Sequence, residues 1–414
     1  MHQYTVPLSQ KVPLRLAGEL SKRVFFVSED IESFELVEEK EGETAVVCAV
    51  RVTTRAPSDT VQMRSMLNQL VSDDILPQRS VMEHRIWQSS HPVTTHDDTF
   101  DRMLDQGIAI PSGEGQLGFG DPFTGLVAHL DEVFRAAAQR SFGALEHRYP
   151  SLIPTGVLAR SGYLTSFPQF LMFAGRLHGE LDSYKGFVKQ VSDRDSAEDT
   201  DAAVSRALAD HSTHSGYTLS PAVCYHVYEQ HAGKSLDADL VSVTARGTCF
   251  RHESRYHRSL ERLWEFTMRE VVFIGSENRV AEARNSFMQD VFAIVEELGL
   301  AGHVETASDP FFCDAKTAEK IWTQRLMQLK YELLLPVPGG RSVAAVSFNT
   351  HGSSLGEAFS IRTPDREIAH TGCVAFGLER FAYAFVCQHG LDPAGWPDAV
   401  SRSVQSSGAT EASR

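Results

Sequence analysis

The sequence predicts an α+β protein built on an antiparallel sheet flanked by helices, preceded by a small α+β domain. Two observations carry this prediction. The strand-like runs DLVSVTARGTCFRHE, EFTMREVVFIG, KYELLLPV, SVAAVSFN and EAFSIRT are separated by turns and one long helix over residues 278–298, without the regular strand-helix alternation of a doubly wound parallel sheet. Residues 24–55 form a separate strand-rich stretch, and a chain of 414 residues has room for two or three domains at roughly 100 to 200 residues each.

The elements follow in order. RVFFVSE, SFELVEEK and ETAVVCAVRVTT alternate like strands, with EGE as the turn between the last two. Ser58 is placed to cap a helix running through VQMRSMLNQLV. The first domain spans about residues 1–95, closes in the polar stretch SSHPVTTHDDT and carries no chemical motif. The apolar spacing of LVAHLDEVFRAAAQRSFGAL predicts a helix from Phe123 towards His147, stopped ahead of Pro150. Residues 192–216 are acidic and polar, an exposed helix or insertion within a larger domain over 96–400. The tail 401–414 is low in apolar residues and reads as disordered.

With 39 Lys and Arg against 54 Asp and Glu, the formal charge is −15. An acidic surface meets phosphate backbones poorly, which disfavours general nucleic-acid binding. No apolar run approaches the roughly 18 residues of a membrane span, and the N-terminus lacks a signal-peptide core, so a cytoplasmic location is expected. The six cysteines are scattered without a CxxC pair, so thiols are expected and any metal site must be assembled from distant segments.

Two stretches carry chemistry. In CFRHESRYHRSLERLWEFTMREVVFIG (249–275) a strand ends in Arg251-His252-Glu253, and a charged loop leads to a return strand through Phe266 and Glu270. Arg251 offers a planar cation suited to a phosphate oxygen, and Glu253 is expected on the same strand face. Alone, the pattern reads better as a surface ion pair on a hairpin than as a phosphate site. In GCVAFGLERFAYAF (372–385) a glycine-bearing strand feeds a helix that opens with Glu379-Arg380. Alone, that reads as a helix start with a solvated charge pair.

Together and in this order, the two stretches resemble motifs 2 and 3 of the class II aminoacyl-tRNA synthetases. Within that superfamily the chain looks most like the amino acid:carrier protein ligases, relatives of the methanogen-type seryl-tRNA synthetases. The resemblance runs from about Thr124 to Trp396 through YPSLIP, SGYLTSFPQF, LSPAVCYHVYE, TCFRHE, FTMREVVFIG, SDPFFC, LKYELLLP, SVAAVSFNTHG, AHTGCVAFGLERFAYAF and HGLDPAGWP.

The resemblance implies roles at matched positions. Arg251 and Arg380 are the catalytic arginines, the first on the α-phosphate of ATP, the second against the base and γ-phosphate. Glu253 and Phe266 lie near adenine, Phe266 as the stacking ring. Arg262, Leu263, Lys330, Glu332, Ala344, Ala345, Val346 and Ser347 complete the ATP-facing surface. Cys224, Glu270 and Cys373 match three ligands of one Zn2+ per subunit, a chemically reasonable set that leaves a fourth position open. Glu270 and that zinc would take the α-amino group of the substrate. Cys48, Cys249, Cys313 and Cys387 match no ligand position and read as small hydrophobes. His252, His257, His351 and His370 show no metal spacing and read as loop or polar residues, with His252 near the active site.

The implied reaction is activation of a small amino acid (Gly, Ala or Ser) by ATP with Mg2+, giving an aminoacyl-adenylate and pyrophosphate. The aminoacyl group then passes to the phosphopantetheine thiol of an acyl or peptidyl carrier protein. A homodimer is implied through the motif 1 region, roughly 124–158. Two departures stand out: Ala344 and Ala345 occupy positions where many class II enzymes carry a metal-binding glutamate, and residues 1–95 have no counterpart in the minimal ligases. The alternatives are a methanogen-type seryl-tRNA synthetase, which the acidic balance disfavours, and a non-catalytic ATP- or amino-acid-binding paralogue, which the complete set of motif residues disfavours.

Overall fold

The computed structural model describes residues 1–41, 44–78, 84–193, 200–253, 260–309, 320–321, 324 and 327–411. The expected turn at 41–43, part of the acidic stretch, His257 and Cys313 fall wholly or partly outside them. Strands β1 (His2–Pro13), β2 (Ile31–Glu41) and β3 (Thr44–Thr54) form an antiparallel sheet in the order β1-β3-β2. Val47, Val50 and Val52 on the central strand pack with Leu16, Leu20, Val24, Met63 and Leu67 in an apolar cluster of their own. The helix Thr60–Leu70 is capped by Asp59, whose carboxylate accepts from the amides of Val61 and Gln62. Asp59, one residue beyond the expected Ser58, takes the cap because its side chain reaches both orphan amides.

The run RVFFVSE is not a strand: Val24–Phe26 is a turn of 3-10 helix following the helix Ala17–Ser21. There Leu16, Leu20, Val24 and Val27 recur at helical spacing and face the cluster, which period-2 reasoning on so short a run misses.

The chain joins the main sheet before residue 95. Strand β4 (Arg85–Gln88) pairs with β13 (His303–Thr306), and Trp87 stacks on Phe292 with centroids 4.5 Å apart. A hairpin β5 (Ala109–Gly113) and β6 (Gln116–Phe119) leads to the helix Phe123–Phe142, which stops at Gly143 in the left-handed region, φ 58. Then come β7 (Leu145–His147), β8 (Leu152–Pro154), β9 (Phe173–Leu177) and β10 (Ser212–Leu219), the last three forming a small sheet. The acidic stretch contributes the helix Thr200–His211 and the start of β10.

The remaining strands are β11 (Leu240–Phe250), β12 (Glu265–Gly275), β14 (Lys330–Val337), β15 (Arg341–Gly352) and β16 (His370–Gly377). The eight-stranded order β4-β13-β14-β15-β16-β12-β11-β7 is antiparallel except for β7 against β11. The α+β class and the antiparallel sheet flanked by helices stand as expected. One face carries Phe273, Phe348, Val374 and Phe376 against the helices Phe123–Phe142, Glu277–Glu297 and Leu378–His389. The other carries Val272, Met268, Cys373 and Ala375 beneath shorter helices, and it holds the site.

Two expectations fail. EAFSIRT (357–363) begins as the last turn of the helix Ser354–Phe359, breaks at Ser360 in the left-handed region, φ 55, and then makes only isolated bridges at Arg362 rather than a strand. The tail is helical over Asp398–Glu411, where Val400 and Val404 are buried in the main core, so a short apolar stripe anchors a polar segment. No helix among the described residues is long and apolar enough to cross a membrane.

Candidate active site

Sheet register collects the site. Across β14, β15, β16 and β12 the residues Glu332, Ser347, Ala375 and Glu270 stand opposite one another, and the adjacent row holds Lys330, Asn349 and Cys373. Side chains two apart on a strand share a face, so these rows point into one cleft of about 800 Å3. Arg251, Glu253, Arg262, Phe266 and Arg380 line the same cleft, as do Cys224, Ala344, Ala345 and Val346. Of the expected site residues only Leu263, buried beside the loop, is absent from the lining. The β14–β15 pairing slips between Leu333 and Leu334, leaving Ala345 as the extra residue of a bulge in the cleft wall.

Arg251 and Glu253 reach the cleft by a turn rather than by strand alternation. Strand β11 ends at Phe250, and the Glu253 amide donates to the Arg251 carbonyl at 2.7 Å. The Arg251 Nε donates to the Pro221 carbonyl, and the guanidinium lies 5.5 Å from the centroid of Phe266 and 6.0 Å from that of Phe170. Glu253 is 4% exposed, with Arg262 at 2.5 Å and Arg380 at 3.7 Å. Burial alone would raise its carboxyl, but Arg262, Arg380 and Arg251 hold it below the usual range. Glu379 is buried rather than solvated. Its carboxylate accepts from the Thr267 amide at 2.8 and 3.0 Å, which ties the helix start to β12 and fixes where Arg380 emerges.

At the other end of the cleft, Cys224, Glu270 and Cys373 are all buried, with one potential ligand atom of each within 4.8 Å of the others. The Cys224 amide donates to Glu270 Oε2. Asn349 Nδ2 donates to Ser347 Oγ at 3.0 Å and to Cys373 Sγ at 3.4 Å. Burial, reinforced by the neighbouring Cys373 sulfur, pushes the Glu270 carboxyl up to about 8. Hydrogen bonding from Cys224 favours the Cys373 thiolate, with His351 and Asn349 adding to it. Three acidic groups buried together, with little positive charge beside them, form a donor set suited to a cation of Zn2+ type.

Between the two ends, Lys330 is buried and spans Asp309 at 2.6 Å and Glu332 at 3.1 Å. Its charge is therefore already matched. Asp309, Asn349 and the buried Tyr163 hydroxyl, which has no partner among the described residues, were given no role by sequence reasoning. The period-2 alternation of Ser347 and Asn349 in β15 was a usable signal; Asp309 and Tyr163 had only their place in a matched motif. His351 lies by Thr371, 3.1 Å from ring nitrogen to hydroxyl, and also lines the cleft. His252 is exposed and tilted against Trp264.

Comparison with known proteins follows the same lines. A family model described as the tRNA synthetase class II core domain (G, H, P, S and T) matches residues 209–389. The chain is 36% identical over 305 residues to amino acid–acyl-carrier-protein ligase 1 of Bradyrhizobium diazoefficiens, covering 73% of this chain and 89% of that protein. It is 28% identical over 298 residues to the type-2 serine–tRNA ligase of Methanothermobacter thermautotrophicus, covering 71% of this chain but 57% of that protein. Among solved structures, a complex of M. kandleri seryl-tRNA synthetase with A. aeolicus tRNASec aligns with TM-score 0.69 at 17% identity, over 98% of this chain and 96% of that one.

Proposed function

The chain belongs to the family of class II synthetase-like amino acid–acyl-carrier-protein ligases, and from that premise we propose that it activates a small amino acid with ATP and transfers it to a carrier-protein thiol. The observation that carries this reading is the convergence of Arg251, Phe266 and Arg380 with Cys224, Glu270 and Cys373 on one sheet face in one cleft.

In the first step the substrate carboxylate attacks the α-phosphorus of ATP and pyrophosphate leaves, so no general base is needed. Arg251, braced through Nε on the Pro221 carbonyl, presents its remaining donors to the α-phosphate. Phe266 offers the adenine a face, and Arg380 stands across Glu253 from Arg262 to meet the base and the outer phosphate. Catalysis by these groups is positioning and charge stabilisation, with Mg2+ arriving on the nucleotide.

Cys224, Glu270 and Cys373 would hold one Zn2+, whose open position supplies a ligand site for the substrate amine and a reason for selecting amino acids. The walls beside them come from one packed apolar cluster including Ala222, Met268, Leu355 and Ala375, which favours Gly, Ala or Ser over longer side chains. The Tyr163 hydroxyl is a buried donor available to the bound substrate.

The second step delivers the aminoacyl group to the thiol of a phosphopantetheine arm. Support comes from the 36% identity to a carrier-protein ligase and from the acidic balance of the chain, −15 in all, which disfavours a nucleic-acid backbone as the acceptor. A homodimer through the region 124–158 completes the reading. The test is amino-acid-dependent ATP–pyrophosphate exchange on zinc-loaded protein, followed by labelled amino acid offered with phosphopantetheinylated carrier protein or total tRNA. Exchange with Gly, Ala or Ser and label on the carrier protein is expected. Charging of tRNA alone would replace this reading with a tRNA synthetase.

A further inference from the structure

The active-site cleft is not built from the large sheet alone. Glu19, Ser21, Lys22, Arg23, Phe25 and Phe26, all from the N-terminal three-stranded unit, line the same cleft as Arg251, Glu270 and Arg380. The periodicity of this segment explains how. Leu16, Leu20, Val24 and Val27 recur at helical spacing and are buried in the N-terminal unit's own core. Glu19, Lys22, Arg23 and Phe26 recur at the same spacing on another side, and that side looks onto the cleft.

The cleft-facing side is also held in place. Arg23 is 4% exposed, and its Nη1 donates to both the carboxylate and the carbonyl of Glu19, at 2.7 and 3.0 Å. Lys22 Nζ donates to the other carboxylate oxygen at 2.9 Å, while the rest of its side chain is more than half exposed. Phe25 is braced edge-on against Phe34 of β2, with centroids 5.0 Å apart. Two cations on one carboxylate leave this wall with net positive charge, and two rings give it apolar area.

We propose that the segment from Ala17 to Phe26 is a recognition wall for the acceptor, its Lys22–Arg23 edge reading the phosphate of the prosthetic arm and Phe26 the arm's apolar length. The inference rests on the carrier-protein reading of the second step. A phosphate could also belong to ATP, but Arg251, Arg262 and Arg380 already stand with the nucleotide-facing residues, so the acceptor is the ligand left for this wall. The wall itself forms no covalent bond: it binds the arm while the arm's thiol loses its proton, its sulfur bonds to the aminoacyl carbonyl carbon to give the thioester, and the carbon–oxygen bond to AMP breaks.

The test uses full-length, zinc-loaded enzyme and three acceptors: phosphopantetheinylated carrier protein, 4′-phosphopantetheine and pantetheine, the last lacking the phosphate. Lys22→Glu is expected to raise KM for phosphopantetheine about tenfold, by loss and reversal of one phosphate contact, with KM for pantetheine and KM for ATP in exchange unchanged. Phe26→Ala is expected to raise KM for both small thiols alike. A Lys22→Glu enzyme with unaltered phosphopantetheine KM would overturn the wall, and so would an equal rise with pantetheine. A raised ATP KM would reassign the wall to the nucleotide. If wild-type enzyme exchanges pyrophosphate but loads none of the three acceptors, the carrier-protein reading fails and this inference with it; the first two outcomes sink the inference alone.

Discussion

The two ends of the cleft bury a carboxylate in opposite ways. Glu253 lies between Arg262 and Arg380 and stays ionised at a 4% exposed position. Glu270, 2% exposed, lies between two cysteines and is pushed up to about 8. At the first end the carboxylate already has its countercharges, so it stays ionised with no ligand present. The second carries acid groups that burial penalises in their charged form and that a bound cation would relieve, which is where the proposed zinc would act.

The largest predicted effect breaks the second end. Cys373→Ala removes one of three ligands, and zinc content by mass spectrometry and pyrophosphate exchange should fall together, the latter more than about 100-fold. Full zinc occupancy in this variant would remove Cys373 from the ligand set. At the first end, Arg380→Ala should keep its zinc while kcat/KM for ATP drops about 100-fold, the size expected for one positioned transition-state donor. Zinc loss there would mean that the two ends are not independent.

Stability sharpens the contrast. Glu253→Gln leaves Arg262 and Arg380 without their shared carboxylate, and because those guanidiniums are 43% and 28% exposed water takes up part of the loss, so a cost of about 1–3 kcal/mol is expected. In metal-free protein near pH 7, where the raised Glu270 carboxyl already holds its proton, Glu270→Gln should change the unfolding midpoint little. Adding zinc should then stabilise wild type and not the Glu270→Gln protein. Equal losses from both substitutions in metal-free protein would show that Glu270 is matched by charge as Glu253 is.

How much of this was legible follows from the range of the interactions. Strand-like runs located the segments that became β12, β15 and β16, because alternation is a local property, while the roles of Phe266, Glu270, Ser347 and Cys373 came from motif resemblance alone. Motif resemblance placed Arg251, Arg380 and Cys224, which come from segments far apart in the chain. The pairing of Arg262 with Glu253 and of Lys330 with Asp309 was not legible, since a long flexible side chain takes its partner only after tertiary packing. Least legible was the role of the N-terminal unit. RVFFVSE has a strand's composition, and that its polar side faces an active site depends on how two separate cores dock.

Glu19 in that unit repeats the Glu253 arrangement on a smaller scale, one carboxylate between two cations, and supplies the mildest test. Burial would raise its carboxyl, but Lys22 and Arg23 outweigh that and bring it down to about 2 from the ordinary 4.5. A depressed folded pKa stabilises the fold above the unfolded value, and the contribution is lost as pH falls through the window from 4.5 towards 2. The full linkage is on the order of 3 kcal/mol at pH 7 and shrinks by roughly two fifths at pH 3.5. Glu19→Gln should therefore lower the urea midpoint of the N-terminal unit most at neutral pH, with the gap to wild type narrowing as the solution is acidified. A gap that stays constant across that range would mean that Glu19 holds the wall by packing rather than by charge.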